Sequence, residues 1–416
     1  MNNIPVGYKQ TEVGIIPEDW EVKELDELFQ FQGGSQPPKE TFIFQEKQGY
    51  IRLLQIRDYK SDTYESYIPL ELARRFCNED DIMIGRYGPP IFQILNGLKG
   101  AYNVALMKAI PTAIVSKKYG WFVLKQETLF QFIEKLSQRS SGQTGVDLVE
   151  LRKYKIPFPP IHEQAAIATA LSDVDALIST LDKLIAKKRL IKQGAMQELL
   201  SGKKRLAGFS DEWEVKTFGE IFDFLTTATY SRAELSEYDD IYYIHYGDIH
   251  TKLDYFLDFE KSNLPTIKNE LVKKYPLIKD GDIIMADASE DYDGICKSVE
   301  VKNIGSKKAI SGLHTFLLRD NKNVFENGFK AYIQSNIFIK NQNNNLATGL
   351  KVYGVSKVNL KTIKIPIPPK EEQTAIAQIL SDMDSDILAL ETQRNKTQAI
   401  KQGMMQNLLT GKIRLI

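Results

Sequence analysis

The feature that most constrains this chain is a segment it carries twice. Ile156–Leu206 aligns without a gap on Ile365–Leu415, with 28 of the 51 positions identical. The ends match best, "IKQGAMQELLSGKKRL" against "IKQGMMQNLLTGKIRL". Further upstream, "EDWEVKELDELFQF" from Glu18 echoes "DEWEVKTFGEIFDF" from Asp211, and "YIRLLQIR" from Tyr50 echoes "YIHYGDIH" from Tyr243. Between these echoes the halves diverge. The order is variable domain, repeated segment, variable domain, repeated segment. A repeat of roughly 200 residues is a duplicated half-molecule and not the short unit of a solenoid.

The repeated segment reads as a long helix. Twin prolines, Pro159–Pro160 and Pro368–Pro369, end an extended stretch and precede a helix start. Beyond them, apolar residues fall at Ile167, Leu171, Val174, Ile178, Leu181 and Ile185, and again at Ile376, Leu380, Met383, Ile387 and Leu390. Alternating steps of four and three make an a/d seam of the coiled-coil kind. Gly202 and Gly411 stand where a helix ends in a left-handed residue. Each helix spans about 40 residues, or roughly 60 Å at 1.5 Å per residue. An apolar stripe of that length needs a partner, and the other copy supplies one. The alternative is that each helix packs on its own domain. Gly194 and Gly403, inside "KQG", cost about 1 kcal/mol each against alanine; a close helix approach, a kink or a partner contact would account for them.

The expected fold is therefore α+β: two globular domains separated by a long antiparallel two-helix coiled coil, with a pseudo-twofold internal repeat. The boundaries expected are 1–155 for the first domain, 156–206 for the central repeat, 207–364 for the second domain and 365–416 for the last repeat. Each domain opens with a short polar helix after Trp20 or Trp213. Strand-like pieces follow: "GYIRLLQI", "DDIMIGRYG" and "AIVSKKYGWFVL", then "DIYYIHYGDI", "GDIIMADA" and "TFLLR". Helical pieces, "ETLFQFIEKLSQ" and "GFKAYIQSNIFIK", come near the domain ends.

Composition narrows the function. Lys plus Arg and Asp plus Glu both number 54, so net charge is zero, which disfavours a protein held on nucleic acid by bulk attraction alone. Local patches are not excluded. No window approaches a membrane span of ~18 apolar residues, and no leader-like segment opens the sequence. Two cysteines, Cys77 and Cys296, fit a reducing compartment, so a cytoplasmic location is expected.

The variable domains offer polar residues at turns beside aromatics. In the first these are Ser35, Gln36 and Lys39 of "GGSQPPK", Arg52, Gln55 and Arg57 of "RLLQIRDY", Arg86 and Tyr87 of "GRYGPP", and Lys99. Arginine can grip guanine with two donors, glutamine suits adenine, and lysine suits phosphate. The second domain offers Tyr230, Arg232, His245, Tyr246, His250, Ser289, Lys297 and His314. It is poorer in arginine, so the two domains would read different things. The plain reading of each residue is a solvated loop position.

Catalytic motifs are missing. There is no GxxxxGK[ST] phosphate loop, and "IPFPP" and "IPIPP" lack the polar first residue of an amino-methyltransferase motif. His245, Asp248 and His250 form a loose H-x-x-D-x-H, more simply read as loop residues than as a metal site. Asp291, Glu300 and Lys302 have tolerable nuclease spacing, but E-x-K also recurs in "WEVK" as an ordinary strand. The expectation is no catalytic residue and no metal on this chain.

Taken together, "GYKQTEVGIIPEDWEV", "IPFPPIHEQAAIATALSDVD", "IKQGAMQELLSGKKRL", "GFSDEWEV" and "IPIPPKEEQTAIAQILSDMD" resemble the specificity subunit of type I restriction–modification enzymes, over the full chain and in order. That resemblance implies two target-recognition domains, each binding one half of a split, asymmetric double-stranded DNA sequence. It implies helices that fix the gap between half-sites and dock two methylation subunits, with restriction subunits added in a nuclease complex. Contacts to those partners would fall on Glu163, Gln164, Gln193 and Gly194 and on their repeats Glu372, Gln373, Gln402 and Gly403. S-adenosylmethionine, ATP and Mg2+ would be held by the partners and none by this chain. The alternative from another class is a coiled-coil scaffold without DNA recognition.

Overall fold

The computed structural model describes residues 4–139 and 145–415. The chain forms two compact units, one of residues 1–182 with 392–416, the other of 183–391. The cuts fall inside the two long helices, Ile161–Leu199 and Lys370–Leu408, so each unit holds one variable domain and a stretch of both helices.

The helices begin where the prolines place them, and three residues past their last helical residues Gly202 and Gly411 turn left-handed at φ 69° and 71°. Both glycines lie against a tryptophan: a Cβ on Gly202 would sit 3.4 Å from Trp213, and one on Gly411 would sit 3.2 Å from Trp20. The seam is buried at Ile167, Leu171, Leu181 and Ile185 and at Ile376, Leu380 and Ile387. Each such side chain removed from water is worth about 1.5–3 kcal/mol.

Within each unit the helices run antiparallel, and charge explains why. The repeated segment is acidic in its first half ("SDVD", "SDMD") and basic in its second ("AKKRLIKQ", "QRNKTQAIKQ"). Parallel pairing would set like charges against like. In the first unit Lys401 meets Asp175 at 2.5 Å and Arg394 meets Asp182 at 3.4 Å. In the second, Lys188 meets Asp386 at 2.8 Å, Arg189 meets Glu391 at 2.5 Å, and Lys192 meets Asp384. Lys192 and Lys401 are the same position of the repeat, as are Asp384 and Asp175. Both lysines also lie over an aromatic ring of their own unit: Lys192 is 3.9 Å from Tyr255, and Lys401 is 5.7 Å from Phe122. Exposed pairs add little stability, so these charges select orientation while the seam supplies the energy.

A latch closes each unit. The buried Glu163 carboxylate accepts from the Trp20 indole at 2.9 Å and from Arg414 at 2.7 Å, and Arg414 also grips Asp19. In the other unit the buried Glu372 accepts from Trp213 at 2.9 Å and from Arg205 through two bonds of 2.7 Å. The start of one repeat is thus latched to the tail of the other. A two-stranded ladder adds to each closure, Glu21–Glu24 against Lys155–Phe158 and Glu214–Thr217 against Lys364–Ile367. This is the structural use of the twice-seen "WEVK" and "IPxPP".

The variable domains share a frame. In the first, Phe29–Gly33, Leu106–Pro111, Ile82–Gly85 and Gln93–Leu95 form an antiparallel sheet in that order. A second sheet contains Tyr50–Leu54 parallel to Gly100–Tyr102. In the second domain, Asp223–Leu225, Thr315–Arg319 and Ile283–Ala286 repeat the first arrangement, and Ile241–Ile244 parallel to Lys308–Ser311 repeats the second. One reading needs correction. "AIVSKKYGWFVL" is not a strand: Lys117–Leu124 is a helix. Ser116 caps it by accepting from the Tyr119 N–H, and Tyr119, Phe122 and Val123 bury one face. Its aromatic and β-branched content masked a helical spacing. The helices after the tryptophans, Leu25–Leu28 and Phe218–Ile221, are single turns whose apolar residues are buried, so they are not polar as expected.

Candidate nucleic-acid interface

In the first domain, Gln36, Lys39, Arg57 and Lys99 are exposed. Ser35 is half-buried and donates its backbone N–H to Tyr102. Gln55 donates to Ser66 at 3.2 Å. Arg52 is held by Asp62 at 2.7 Å and Glu65 at 2.8 Å. Burial works against its charge, but these carboxylates outweigh it and raise the arginine further above its ordinary value. Its charge is spent inside the domain. Arg57 lies over the exposed Tyr64 ring at 5.6 Å, and Arg86 over Tyr87 at 5.5 Å. These two cation–aromatic pairs present a flat positive face that can meet a base or a phosphate. Tyr64 was not among the residues sequence reasoning picked; its exposure is visible only in the fold.

In the second domain, three of the chain's four histidines gather around one tyrosine. Tyr246 has His245 at 4.6 Å, His314 at 5.3 Å and His250 at 6.1 Å between ring centroids. His245 is buried and accepts the Gly247 N–H on Nδ1, capping the helix Tyr246–Lys252. Burial, reinforced by Arg232, pushes its pKa down. His250 places Nε2 2.9 Å from the Ala288 carbonyl, and Lys297 donates to the His250 carbonyl. Burial pulls the Lys297 amine below its ordinary value. Ser289 is buried and accepts from the Asp291 N–H at 3.3 Å. Arg232 and Lys252 both reach the fully buried Asp248, and Tyr230 donates to the Leu271 carbonyl. His314 is the exposed member of the set.

Asp248 of the loose metal pattern and Glu300 of the nuclease spacing have structural partners. Asp248 pairs with both Arg232 and Lys252, and Glu300 accepts the Gly328 and Ala331 N–H groups at 2.8 Å each. Among the described residues no group of three His, Cys, Asp or Glu is placed to hold a metal ion. Both cysteines are buried, and burial pushes Cys77 up to about 11 and Cys296 up to about 12. Such thiols are not nucleophiles at neutral pH.

Of the eight residues expected to meet partners, four face their own unit. Glu163 and Glu372 are the latch carboxylates. Gln164 bonds the Ser116 N–H and the Ile114 and Pro159 carbonyls, while Gln373 bonds the Glu326 N–H and the Val324 and Pro368 carbonyls. Gln193 and Gln402 are exposed. A Cβ on Gly194 or Gly403 would meet nothing within 4 Å among the described residues, so no close approach there explains these glycines, and both helices run unbroken through them. Exposed Ile191 and Ile400 stand one turn before them.

Two α+β domains built on one frame, with unlike loops and latched to paired helices, define a two-domain recognition protein. The family profile of the "Type I restriction modification DNA specificity domain" matches residues 17–188 and 210–401, and the chain belongs to that family, whose members recognise DNA and leave catalysis to other subunits. It is 26% identical over 417 residues to the type I restriction enzyme MjaVIII specificity subunit of Methanocaldococcus jannaschii, covering 96% of this chain and 94% of that one. Two solved structures share the fold. One is the type I restriction–modification S subunit of M. genitalium (TM-score 0.53, 16% identity, 98% and 97% of the two chains). The other is a chain from a study of complex assembly and conformational transition in the type I R-M system (TM-score 0.60, 13% identity, 96% and 99%). No helix among the described residues is long and apolar enough to cross a membrane.

Proposed function

We propose that this chain gives a type I restriction–modification complex its sequence preference, each domain reading one half of a bipartite, asymmetric DNA target. The observation that carries this is the doubled latch. Identical Trp–Glu–Arg closures hold two domains whose strands correspond and whose loops do not. Two unlike readers in one repeated frame fit a target with two unlike halves. The length of the paired helices would set the number of unread base pairs between them. Two methylation subunits would dock on the helices, one around Gln193 and Gly194 and one around Gln402 and Gly403. The same small residue beside an exposed isoleucine, present once in each unit, supports two copies of one partner. S-adenosylmethionine, ATP and Mg2+ would be bound by those partners and by any restriction subunits.

The test is reconstitution of the purified chain with its methylation subunit, followed by mapping of methylated positions on random duplex DNA. A split, asymmetric motif is expected, and removing a heptad from each helix should change the gap while leaving the bases alone. Tight assembly with no preference among duplexes would instead favour a scaffold.

A further inference from the structure

The two domains can be superposed in register by their backbone hydrogen bonds, and this exposes one position that differs in a telling way. In the first domain the strand Ile82–Gly85 is followed by Arg86, whose N–H donates to the Ala105 carbonyl at 2.9 Å and whose carbonyl accepts the Val146 N–H at 3.0 Å. In the second domain the matching strand Ile283–Ala286 is followed by Asp287. Its N–H donates to the His314 carbonyl at 3.1 Å, and its carbonyl accepts the Val355 N–H at 3.3 Å. Arg86 and Asp287 therefore occupy one framework position, with Ala105 and His314 as its neighbours across the sheet. The first domain puts a donor-only side chain there. The second puts a carboxylate and an imidazole.

The second-domain pair is built with care. His314 Nδ1 lies 3.1 Å from Asp287 Oδ1, so Nδ1 donates to the carboxylate; in the neutral imidazole Nε2 is then an acceptor, with no hydrogen-bond partner among the described residues. His314 sits at φ 54°, the left-handed region that an L-residue enters only when its surroundings impose it. The surroundings here do so. Tyr246 packs edge-on against the imidazole, the Tyr243 hydroxyl accepts the Leu313 N–H at 2.9 Å, and Gly312 leaves room where a Cβ would strike the Tyr243 ring. Asp287 and His314 line one wall of a groove of about 450 Å³, with Val352, Tyr353 and Lys357 among the other walls.

We infer that this framework position reads a base in each domain, with opposite hydrogen-bonding character. Arg86 donates to a guanine edge, while the Asp287–His314 pair accepts from the exocyclic amine of cytosine or adenine. A carboxylate repels phosphate, so a pair of acceptors at a DNA surface suits an amino-bearing base edge and not the backbone. Val352 gives the same groove an aliphatic wall for a thymine methyl. The inference rests on the DNA-reading function proposed above.

The test uses the full complex with its methylation subunit and compares motifs by mapping methylated positions. In Asp287→Arg combined with His314→Ala, the second domain receives the donor arrangement of the first. One base of one half-site should change from cytosine or adenine to guanine while the other half-site stays as it was. His314→Gly, which suits the left-handed backbone, should keep the fold and relax that same base, with discrimination falling by about ten-fold or more. Stable variants that retain the parent preference at every position would overturn the inference. Should the parent complex itself show no split motif, the proposed function fails and takes this inference with it.

Discussion

The Trp20 indole donates to Glu163 at 2.9 Å across 143 residues of sequence, and the carboxylate that receives it is fully buried. Arg414 completes its charge balance from 251 residues away. Truncating a buried partner strands the others. Glu163→Ala should destabilise its unit by about 3 kcal/mol, and Glu372→Ala should do the same to the other. Denaturant unfolding of each variant checks this; a loss below about 1 kcal/mol would remove the latch from the account.

Lys192 is nearly buried yet keeps a carboxylate and two aromatic rings around its amine. Burial lowers its pKa, and Asp384 pulls it back up. A double-mutant cycle of Lys192→Met and Asp384→Asn should give a coupling of about 1–3 kcal/mol. The exposed pair Lys188–Asp386 should couple by less than about 0.5 kcal/mol.

Among the described residues the Arg86 side chain lies over Tyr87 and makes one long 3.4 Å contact to the Val104 carbonyl. Its removal should cost the fold little. Arg86→Ala should relax one base of a single half-site by about ten-fold and leave the second half-site intact. Unchanged discrimination at both half-sites, read from methylation maps, would mark Arg86 as a loop residue only.

Ile191 and Ile400 are exposed at matching positions of the two helices. Ile191→Glu and Ile400→Glu should each remove one methylation subunit, and the double variant both, as native mass spectrometry can count. Full occupancy in the double variant would place docking elsewhere.

Asp19 provides a pH signature. The bonds from Arg414 hold its carboxyl below the ordinary value of 3.8. A depressed folded-state pKa stabilises above the unfolded value, and the benefit disappears as pH falls through the folded one. Asp19→Asn should therefore flatten stability below about pH 4, by no more than about 1 kcal/mol because the group is half-exposed. Acid titration of unfolding in both proteins would detect the difference.

The candidate site was less legible than the frame. Arg86 could be singled out because it stands between glycines after an apolar strand. Asp287 could not, since an acidic residue on a DNA reader looks like a contradiction until its position matches Arg86. His314 was picked only as a polar loop residue, and its pairing to Asp287 spans the sheet. Arg52 looked like a base reader, but Asp62 and Glu65 claim its charge.

Periodicity is local, so the sequence alone determined that two long helices exist, where they begin and end, and that each carries one apolar seam. Its acidic and basic halves already contained the reason for antiparallel pairing. The tertiary structure alone decided which tail latches which start and which loop residues share a framework position. Those relationships join residues far apart in the chain, through directional bonds that leave no periodic trace. A buried glutamate between a tryptophan and an arginine costs too much unless all three arrive together, and only the folded chain brings them to one place.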